Sequence, residues 1–483
     1  MNYRLVFRIL GMILCIEGTC MTAPLLIAVY TGGSDVRGFA GAILLCGALG
    51  IFLYTRPTNG RPMQPRDGFA IAGLSWIVLS LFGALPYTLS GSIPSYVDAI
   101  FETASGLTTT GASILTQIEP LPRGTLFWRA ETQWMGGMGV LVLTLALLPK
   151  MGEGSINLMR AESPGPTVTK LTPKVGKTAR ILYLIYIGLT VVETALLMLA
   201  GMSLYDAVTH SFATISTGGF SVRNASVAAY HSELINWIII AFMFLSGINF
   251  SLLYAALRRR FGEVLRNEEL RFYTAVAVCS TLLISWNLLA QRGVAFAESF
   301  SEAAFQVVSV MTTTGFITAD YDQWPTFSKT VLIVIMFAGA CAGSTAGGIK
   351  ASRVVTLLKS LRREMRKIIH PREVNVICSD GQRMEEDTVH SVEIFFFAYI
   401  LILLLGTLVV SWDDVGFDSA FSATLTCLSN VGPGLNAVGP TKNFAALSDG
   451  SKLVLSACML LGRLEIMPLV VLLFPSIWKR KSA

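Results

Sequence analysis

The sequence predicts an all-α membrane protein with ten transmembrane helices and four re-entrant pore loops around one pore. Hydrophobic residues make up 53% of the 483 residues and charged residues only 14%, whereas about a quarter of the residues of a soluble protein are charged. Apolar runs long enough to cross a bilayer recur along the chain. After four of these runs comes a short segment that ends in a polar, glycine-containing loop.

Basic residues cluster on one predicted side of the membrane. The clusters lie at 258–260, between Lys350 and Lys367, and at 479–481, while the alternate loops hold few lysines or arginines. This asymmetry predicts that both termini are cytoplasmic. Because the clusters flank spans, they indicate membrane topology, and we expect no nucleic-acid partner.

The predicted spans fall into an N-terminal pair and four similar units. The pair, residues 1–66, contains apolar helices at 9–30 and 39–55. The pore units occupy residues 67–150, 151–265, 266–387 and 388–483. Each unit has a first apolar helix, a short segment, a glycine loop and a second apolar helix. The second helices are expected at 126–148, 234–257, 329–358 and 451–474. Two spans plus two from each unit give ten crossings, an even number that agrees with two cytoplasmic termini.

Regular spacing supports this repetition. An acidic residue is predicted to open each short segment, and the loop glycine follows thirteen residues later, or fourteen in the last unit. We expect these acids to cap the short helices and to complement their dipoles. A helix of about twelve residues is about 18 Å long and cannot cross a core of about 30 Å, so the chain must enter and return. The acid and glycine pairs are Asp98 and Gly111, Asp206 and Gly219, Glu302 and Gly315, and Asp418 and Gly432.

The four loops have a composition that suits a dehydrated cation. Non-helical backbone deep in a membrane is tolerated only where protein buries it or where it lines an aqueous cavity. Carbonyl oxygens in such a loop can replace the hydration shell of an ion, and glycine permits the backbone angles this requires. The short helices direct their negative ends at the loops, and no acidic ring is present, which favours a monovalent ion. The alternative is a set of helix-breaking turns without function. The candidate cation-site residues are Thr109, Thr110, Gly111, Thr217, Gly218, Gly219, Thr313, Thr314, Gly315, Asn430, Val431 and Gly432.

A run of eleven small residues, 338–348, interrupts the second helix of unit three. Gly339, Gly343 and Gly347 are four apart, which is typical of a close helix-packing face. The adjacent glycines and the hydroxyls near the end of the run favour an unwound stretch instead, and the residues alone leave both interpretations open. An unwound stretch would lie below the loops and could act as a movable gate. The candidate gate residues are Gly343, Ser344, Thr345, Ala346, Gly347 and Gly348.

Arg463 lies within the final apolar run, where a charge is costly and normally faces a partner or an aqueous pathway. One interpretation is a buried ion pair with Glu193 or Glu131. The other places Arg463 beside the pore, where its charge repels cations and tunes the barrier to conduction. Glu465 is two positions further on and should point elsewhere on the helix. The chain has no HExxH, Walker A or GxGxxG motif, so we do not expect an enzyme.

Four separated motifs resemble the Trk/Ktr/HKT potassium-transporter superfamily. They are Ser105 to Ala112 around the first loop, Arg160 to Pro166, Cys341 to Thr345, and Gly462 to Glu465. The resemblance is nearest to the bacterial TrkH/TrkG membrane subunits and covers essentially the whole chain, including the N-terminal pair.

This resemblance implies potassium uptake across the bacterial inner membrane, with potassium as the transported ion and no organic cofactor in this chain. It implies a homodimer with one pore per subunit, and a cytoplasmic ring of TrkA-type regulatory subunits that bind NAD(H) or ATP/ADP. The four loop glycines would form the selectivity filter, and Gly111 in the first loop goes with a preference for potassium over sodium. Residues 338–348 would match the family's gating loop, Arg463 the arginine below the filter, and residues 359–372 a docking surface for the ring.

The sequence departs from the family pattern in two places and leaves several questions open. Ala340 and Ala346 replace usual glycines, which implies a stiffer gating loop, and the fourth filter loop lacks threonine, so its carbonyls must do any binding. The alternatives are a sodium or poorly selective cation transporter, and a membrane enzyme or scaffold without transport. The residues do not distinguish a channel from a proton- or sodium-coupled symporter. They also do not give the affinity, the regulatory nucleotide or the resting state of the gate.

Overall fold

The computed structural model describes residues 1–57, 63–139, 175–293, 295–373 and 375–475. This part of the chain is predominantly helical, and its strands are confined to a hairpin that pairs Cys378–Ser379 with Gln382–Arg383, so the all-α prediction is confirmed. The Arg160 to Pro166 motif and the basic cluster at 479–481 lie outside the described residues.

Within the described ranges, six helices are long and apolar enough to cross a membrane, or seven if one bent helix pair is counted as a span. The chain is therefore a multi-pass membrane protein, while the number of ten crossings stays a prediction. The six are Tyr3–Thr31, Val36–Tyr54, Arg66–Ser90, Lys177–Leu199, Glu268–Arg292 and Glu386–Asp413.

The N-terminal pair is held together by backbone-to-backbone approach. A Cβ atom on Gly11 would lie 2.6 Å from the carbonyl oxygen of Gly50, and one on Gly50 would lie 2.9 Å from the carbonyl oxygen of Gly11. The loop after the first helix also contacts unit one, because Asp35 Oδ2 accepts a hydrogen bond of 2.8 Å from the Thr125 amide. The pair therefore packs as an extra layer beside the first unit.

Four short helices follow the first helices of the four units. We number them short helices 1 to 4: Tyr96–Leu107, Leu204–Ile215, Phe296–Met311 and Phe417–Ser429. The first helices that precede them are Pro65–Gly83 with Leu85–Ser90, Val175–Leu199, Glu268–Arg292 and Glu386–Val410.

The predicted first-turn acids are confirmed in three of the four short helices. Asp98, Asp206 and Asp418 all lie in a first turn. The prediction for Glu302 is wrong, because short helix 3 begins earlier, at Phe296, and its first-turn acid is Glu298. An acid one or two turns inside a helix does not complement the N-terminal dipole.

The second helices are interrupted, and the continuous helices predicted at 234–257, 329–358 and 451–474 are wrong. In unit two the two pieces are bent by 103°. In unit four the break contains Glu465 and Ile466, both with positive φ, 56° and 66°, which a helix cannot accommodate. The pieces are Arg123–Gly137 in unit one, Glu233–Ser246 and Phe250–Leu257 in unit two, Thr326–Ala338 and Ala351–Ile369 in unit three, and Asp449–Arg463 and Met467–Val470 in unit four. The part of the predicted helix 126–148 beyond residue 139 lies outside the described residues.

Two of these second helices end directly against the backbone of short helices. A Cβ atom on Gly136 would overlap the carbonyl oxygen of Leu107, and one on Gly462 would overlap that of Leu428. Glycine is therefore required at both positions for steric reasons. The contact brings the ends of the second helices to the ends of the short helices, where the glycine loops begin.

We predict that Gly136→Ala lowers the thermal stability of the protein in detergent. The added methyl would overlap main-chain atoms that cannot rotate away, and overpacking of this kind costs about 1–3 kcal/mol. Gly47→Ala is the matched control, because Gly47 is also helical and a Cβ atom there meets nothing within 4 Å. Alanine should be neutral or stabilising at position 47. Equal unfolding midpoints for the two variants would contradict the prediction.

Candidate functional site

The four glycine loops share one backbone conformation. Each loop contains one left-handed residue near its start: φ is 56° at Thr109, 56° at Thr217, 58° at Thr313 and 57° at Asn430. Two residues later each loop has a glycine with positive φ: 82° at Gly111, 75° at Gly219, 79° at Gly315 and 101° at Gly432. A left-handed conformation is costly for threonine and persists only where the surroundings impose it. The repetition is therefore clearer in the backbone than in the side chains.

The loops meet in a closed ring. A Cβ atom on Gly432 would lie 2.6 Å from the Thr110 carbonyl oxygen, so the fourth loop contacts the first. The other contacts run in the same direction around the ring. A Cβ atom would overlap the carbonyl oxygen of Gly218 if placed on Gly111, of Thr314 if placed on Gly219, and of Val431 if placed on Gly315. The structure thus brings together the four glycines that the sequence singled out.

The threonine hydroxyls of the first and third loops largely hold the loops in place. Thr108 Oγ1 donates to the Ala104 carbonyl at 2.6 Å and lies 2.7 Å from Thr110 Oγ1. The third loop repeats this pair, with Thr312 Oγ1 2.8 Å from Thr314 Oγ1. These hydroxyls are therefore occupied within the protein, which leaves the loop carbonyls as the main oxygens that could bind an ion.

In the fourth loop, Asn430 occupies the position that Thr109 has in the first loop, two residues before the glycine. Its Nδ2 donates to Thr110 Oγ1 and to the Met459 carbonyl, both at 2.9 Å. Among the described residues, Asn430 Oδ1 and Thr109 Oγ1 are buried oxygens without a hydrogen-bond partner. Buried polar atoms normally have a partner, so these two oxygens are available to a polar or charged group.

A buried ion pair binds the backbone that follows the first and second loops, and the sequence analysis did not find it. Arg129 Nε lies 2.8 Å from Glu102 Oε1. Glu102 Oε2 accepts from the Ile114 amide at 3.0 Å, and Arg129 Nη1 donates to the Ser221 carbonyl at 3.2 Å. Both bonded backbone groups lie just after a loop glycine. The available signal was two opposite charges within apolar segments, which normally require a partner.

Gln133 holds the second loop in a similar way. Its Nε2 donates to the Gly218 carbonyl at 2.5 Å, and its Oε1 accepts from the Phe220 amide at 3.0 Å. One side chain therefore fixes the peptide groups on both sides of Gly219. This residue also escaped the sequence analysis, because a buried glutamine has no distinctive spacing.

The small-residue run of unit three is unwound, as one of the two sequence interpretations proposed. The non-helical stretch spans residues 339–350, slightly beyond the expected 338–348, and we call it the crossing loop. Its Gly339, Gly343, Gly348 and Lys350 have φ of 61°, 71°, 75° and 76°. A helix-packing face is therefore ruled out for this stretch.

The crossing loop contacts three units at the end of the ring where the short helices stop. Thr345 Oγ1 lies 3.0 Å from the Ile215 carbonyl oxygen and 3.2 Å from that of Ser246, both in unit two. The Gly347 amide donates to Thr313 Oγ1 at 2.7 Å. A Cβ atom on Gly347 would lie 2.7 Å from the Cβ atom of Asn430. The loop therefore extends beneath the ring rather than along its outside.

Arg463 connects the crossing loop to the remaining unit. Its guanidinium donates to the Thr345 carbonyl at 2.6 Å and to the carbonyls of Gly136 and Gly137 at 2.7 and 2.6 Å. The two glycines end the second helix of unit one, where the helix dipole is negative and attracts a cation. Glu465 forms an ion pair with Arg353. Arg463 thus contacts the crossing loop and the end of the second helix of unit one, and its role beside a pore stays a prediction.

A cavity of about 870 Å³ lies next to the crossing loop. Charged residues from several elements line it, among them Glu269, Lys350, Asp380, Arg463 and Glu465. The ring, the crossing loop and this cavity are therefore neighbouring parts of one site.

Comparison with known proteins identifies relatives along the whole chain. Residues 37–480 match the TrkH family model, described as a cation transport protein. The Trk system potassium uptake protein TrkH of Escherichia coli (strain K12) is 39% identical over 490 residues, covering 99% of this chain and 100% of that protein. TrkG of the same strain is 32% identical over 483 residues, with 99% coverage of both. The crystal structure of the potassium transporter TrkH from Vibrio parahaemolyticus has a TM-score of 0.88 and 35% identity, covering 99% of this chain and 100% of that one. These relatives are named as transporters, not enzymes.

Proposed function

This chain belongs to the TrkH family of cation transport proteins, and from that premise we propose that it takes up potassium through a selective, gated pore in the bacterial inner membrane. The closed ring of glycine loops is the observation that carries this proposal. In the proposed topology the chain crosses the membrane ten times, both termini are cytoplasmic, and the four loops are re-entrant pore loops.

The ring would act as the selectivity filter by replacing water with main-chain oxygens. Its loops contain no acidic residue, which suits a monovalent ion. The short helices end at the ring, so their dipoles favour a cation there. The proposed filter comprises the twelve loop residues Thr109, Thr110, Gly111, Thr217, Gly218, Gly219, Thr313, Thr314, Gly315, Asn430, Val431 and Gly432. The unpartnered oxygens of Thr109 and Asn430 are further candidate ligands.

The crossing loop would act as the gate, because it is hydrogen-bonded to units two and three beneath the ring. Its contacts to units two and three, and the Arg463 link to unit one, would have to break together before the path could widen. Non-helical backbone can make such a rearrangement without breaking a helix. The positive charge of Arg463 would raise the barrier to cations. The proposed gate residues are Gly343, Ser344, Thr345, Ala346, Gly347 and Gly348.

We further propose the assembly and organisation that the family membership suggests. The chain would consist of an N-terminal pair, 1–66, and four pore units, 67–150, 151–265, 266–387 and 388–483. Two copies would form a homodimer with one pore each. A ring of TrkA-type subunits that bind NAD(H) or ATP/ADP would dock on the basic residues 359–372. Transport could be channel-like or coupled, and flux measurements at imposed proton and sodium gradients would distinguish the two.

Ion competition in liposomes tests the central proposal. The purified protein should carry potassium in preference to sodium when both are present at equal concentration. Equal sodium flux would favour the poorly selective cation transporter, and the absence of any ion flux would favour a membrane protein without transport.

We predict that Gly315→Ser reduces the selectivity for potassium over sodium. A side chain there would overlap the Val431 carbonyl oxygen, and φ of 79° is strained for serine. The ring would widen or tilt at this point, and we expect the permeability ratio to fall by about tenfold or more, as a distortion of about 1.4 kcal/mol implies. Gly416→Ser is the matched control, since Gly416 has φ of 82° but a Cβ atom there meets nothing within 4 Å. Unchanged selectivity in Gly315→Ser would contradict a filter at the ring.

We predict that Arg463→Ala raises potassium flux. The substitution removes a positive charge and three hydrogen bonds, one of which holds the crossing loop. Hydrogen bonds to charged groups contribute about 1.5–3 kcal/mol each, so an increase of about tenfold is expected. Arg266→Ala, which removes an exposed arginine, should leave the flux unchanged. A lower flux in a folded Arg463→Ala protein would show that the arginine does not oppose conduction.

A further inference from the structure

A single carboxylate oxygen binds both sides of the crossing loop. Glu269 Oε1 accepts from the Ala342 amide at 2.6 Å and from the Ser352 amide at 3.0 Å. Ala342 lies near the start of the loop, and Ser352 lies in the first turn of the helix that follows it. Glu269 itself lies in the first turn of Glu268–Arg292, the first helix of unit three.

This arrangement makes Glu269 the N-terminal cap of the helix Ala351–Ile369. Lys350, the residue at the cap position, has no side-chain hydrogen bond to the helix start. The first turn of a helix has unpaired amides and a positive dipole end, and a carboxylate satisfies both. Because the same oxygen also binds Ala342, the start of this helix and the start of the loop are held at a fixed separation.

We propose that Glu269 is a clamp that keeps the crossing loop in place beneath the ring. This inference rests on the proposed function of the loop as a gate. Hydrogen bonds to an ionised carboxylate are stronger than neutral ones. Displacement of this one side chain releases the loop at two points at once. Glu269 is thus a positioning residue that acts on the ion path through the loop.

The hairpin of Cys378–Ser379 and Gln382–Arg383 positions the clamp. Asp380 lies at the turn of the hairpin, with φ of 49° followed by Gly381 at 78°, which is typical of a tight two-residue turn. Its Oδ1 accepts from the Glu268 amide at 2.7 Å, and its Oδ2 accepts from Asn267 Nδ2 at 2.8 Å. Asp380 therefore fixes the start of the helix that carries Glu269.

A lysine links the same hairpin to the helix beyond the loop. Lys359 Nζ donates to Glu268 Oε2 and to the Cys378 carbonyl, both at 2.6 Å. The hairpin strands are exposed, so a partner can reach them. Movement of the hairpin therefore shifts Asp380 and, with it, the start of the helix that carries Glu269. This displaces both hydrogen bonds that Glu269 accepts from the amides of Ala342 and Ser352.

The first experiment measures potassium flux through the full-length chain in liposomes without added regulator. Glu269→Ala should raise the flux by about tenfold, because two charge-assisted bonds are lost. Glu269→Gln keeps an oxygen acceptor and should recover most of the wild-type behaviour. Glu263→Ala removes an exposed acid located before the same helix and should have no effect.

A second readout follows the loop itself. Cys341 is fully buried within the crossing loop, so its rate of maleimide labelling, measured by mass spectrometry of the peptide, reports loop movement. The rate should rise in Glu269→Ala and not in Glu263→Ala. A lower unfolding midpoint with unchanged flux and unchanged labelling would assign Glu269 a purely structural role and overturn the clamp.

A double-mutant cycle tests whether the hairpin acts on the crossing loop through Glu269. Asp380→Ala should raise the flux in the wild-type chain and add little in the Glu269→Ala background, because both substitutions act on one element. Fully additive effects would overturn the connection between hairpin and clamp. If Arg463→Ala raises flux and Glu269→Ala does not, the clamp fails while the gate stands. If neither substitution raises flux, the proposed gate itself fails.

Discussion

The ring depends on the absence of a side chain at four positions. Gly111, Gly219, Gly315 and Gly432 each contact a carbonyl oxygen of the next loop at a distance that leaves no room for a Cβ atom. The positive φ at each glycine adds a second reason why only this residue fits. Polar contacts support this arrangement at the first two loops. The Glu102 and Arg129 pair binds backbone groups just after Gly111 and Gly219, and Gln133 binds the peptide groups on both sides of Gly219.

A second constraint comes from helix ends that meet at one place. The last carbonyls of a helix have no partner within the helix and must be satisfied from outside, above all where no water is available. Thr345 lies at hydrogen-bond distance from the terminal carbonyls of short helix 2 and of Glu233–Ser246, and Arg463 binds those of Arg123–Gly137. This explains how a positive charge can lie beside the proposed cation path. The guanidinium offsets carbonyl dipoles that would otherwise attract a cation and hold it there.

The sequence predicted the parts of this site that local chemistry determines. The loops could be located because positive φ demands glycine, and three of the four first-turn acids followed from helix capping. The breaks in the second helices could not be located from the sequence. Ile466, for example, has a positive φ that tertiary contacts impose and that an isoleucine in the sequence does not indicate. For the same reason the Glu102 and Arg129 pair and the Glu269 contacts were missed. Their partners are 27 and 73 or more residues apart, and only the folded chain brings them together.

The backbone of the ring is four-fold, but the contacts beneath it are not. The first and third loops have matching threonine pairs, whereas Asn430 of the fourth loop reaches Thr110 and the end of Asp449–Arg463. The crossing loop comes from unit three alone. A cation at the centre of a ring needs equivalent oxygens from all sides, so symmetry serves binding. A gate needs one element that moves against the others, and such an element must be held by contacts that its symmetric counterparts lack. Duplication can therefore supply the ring, whereas the proposed gate depends on the differences between the units.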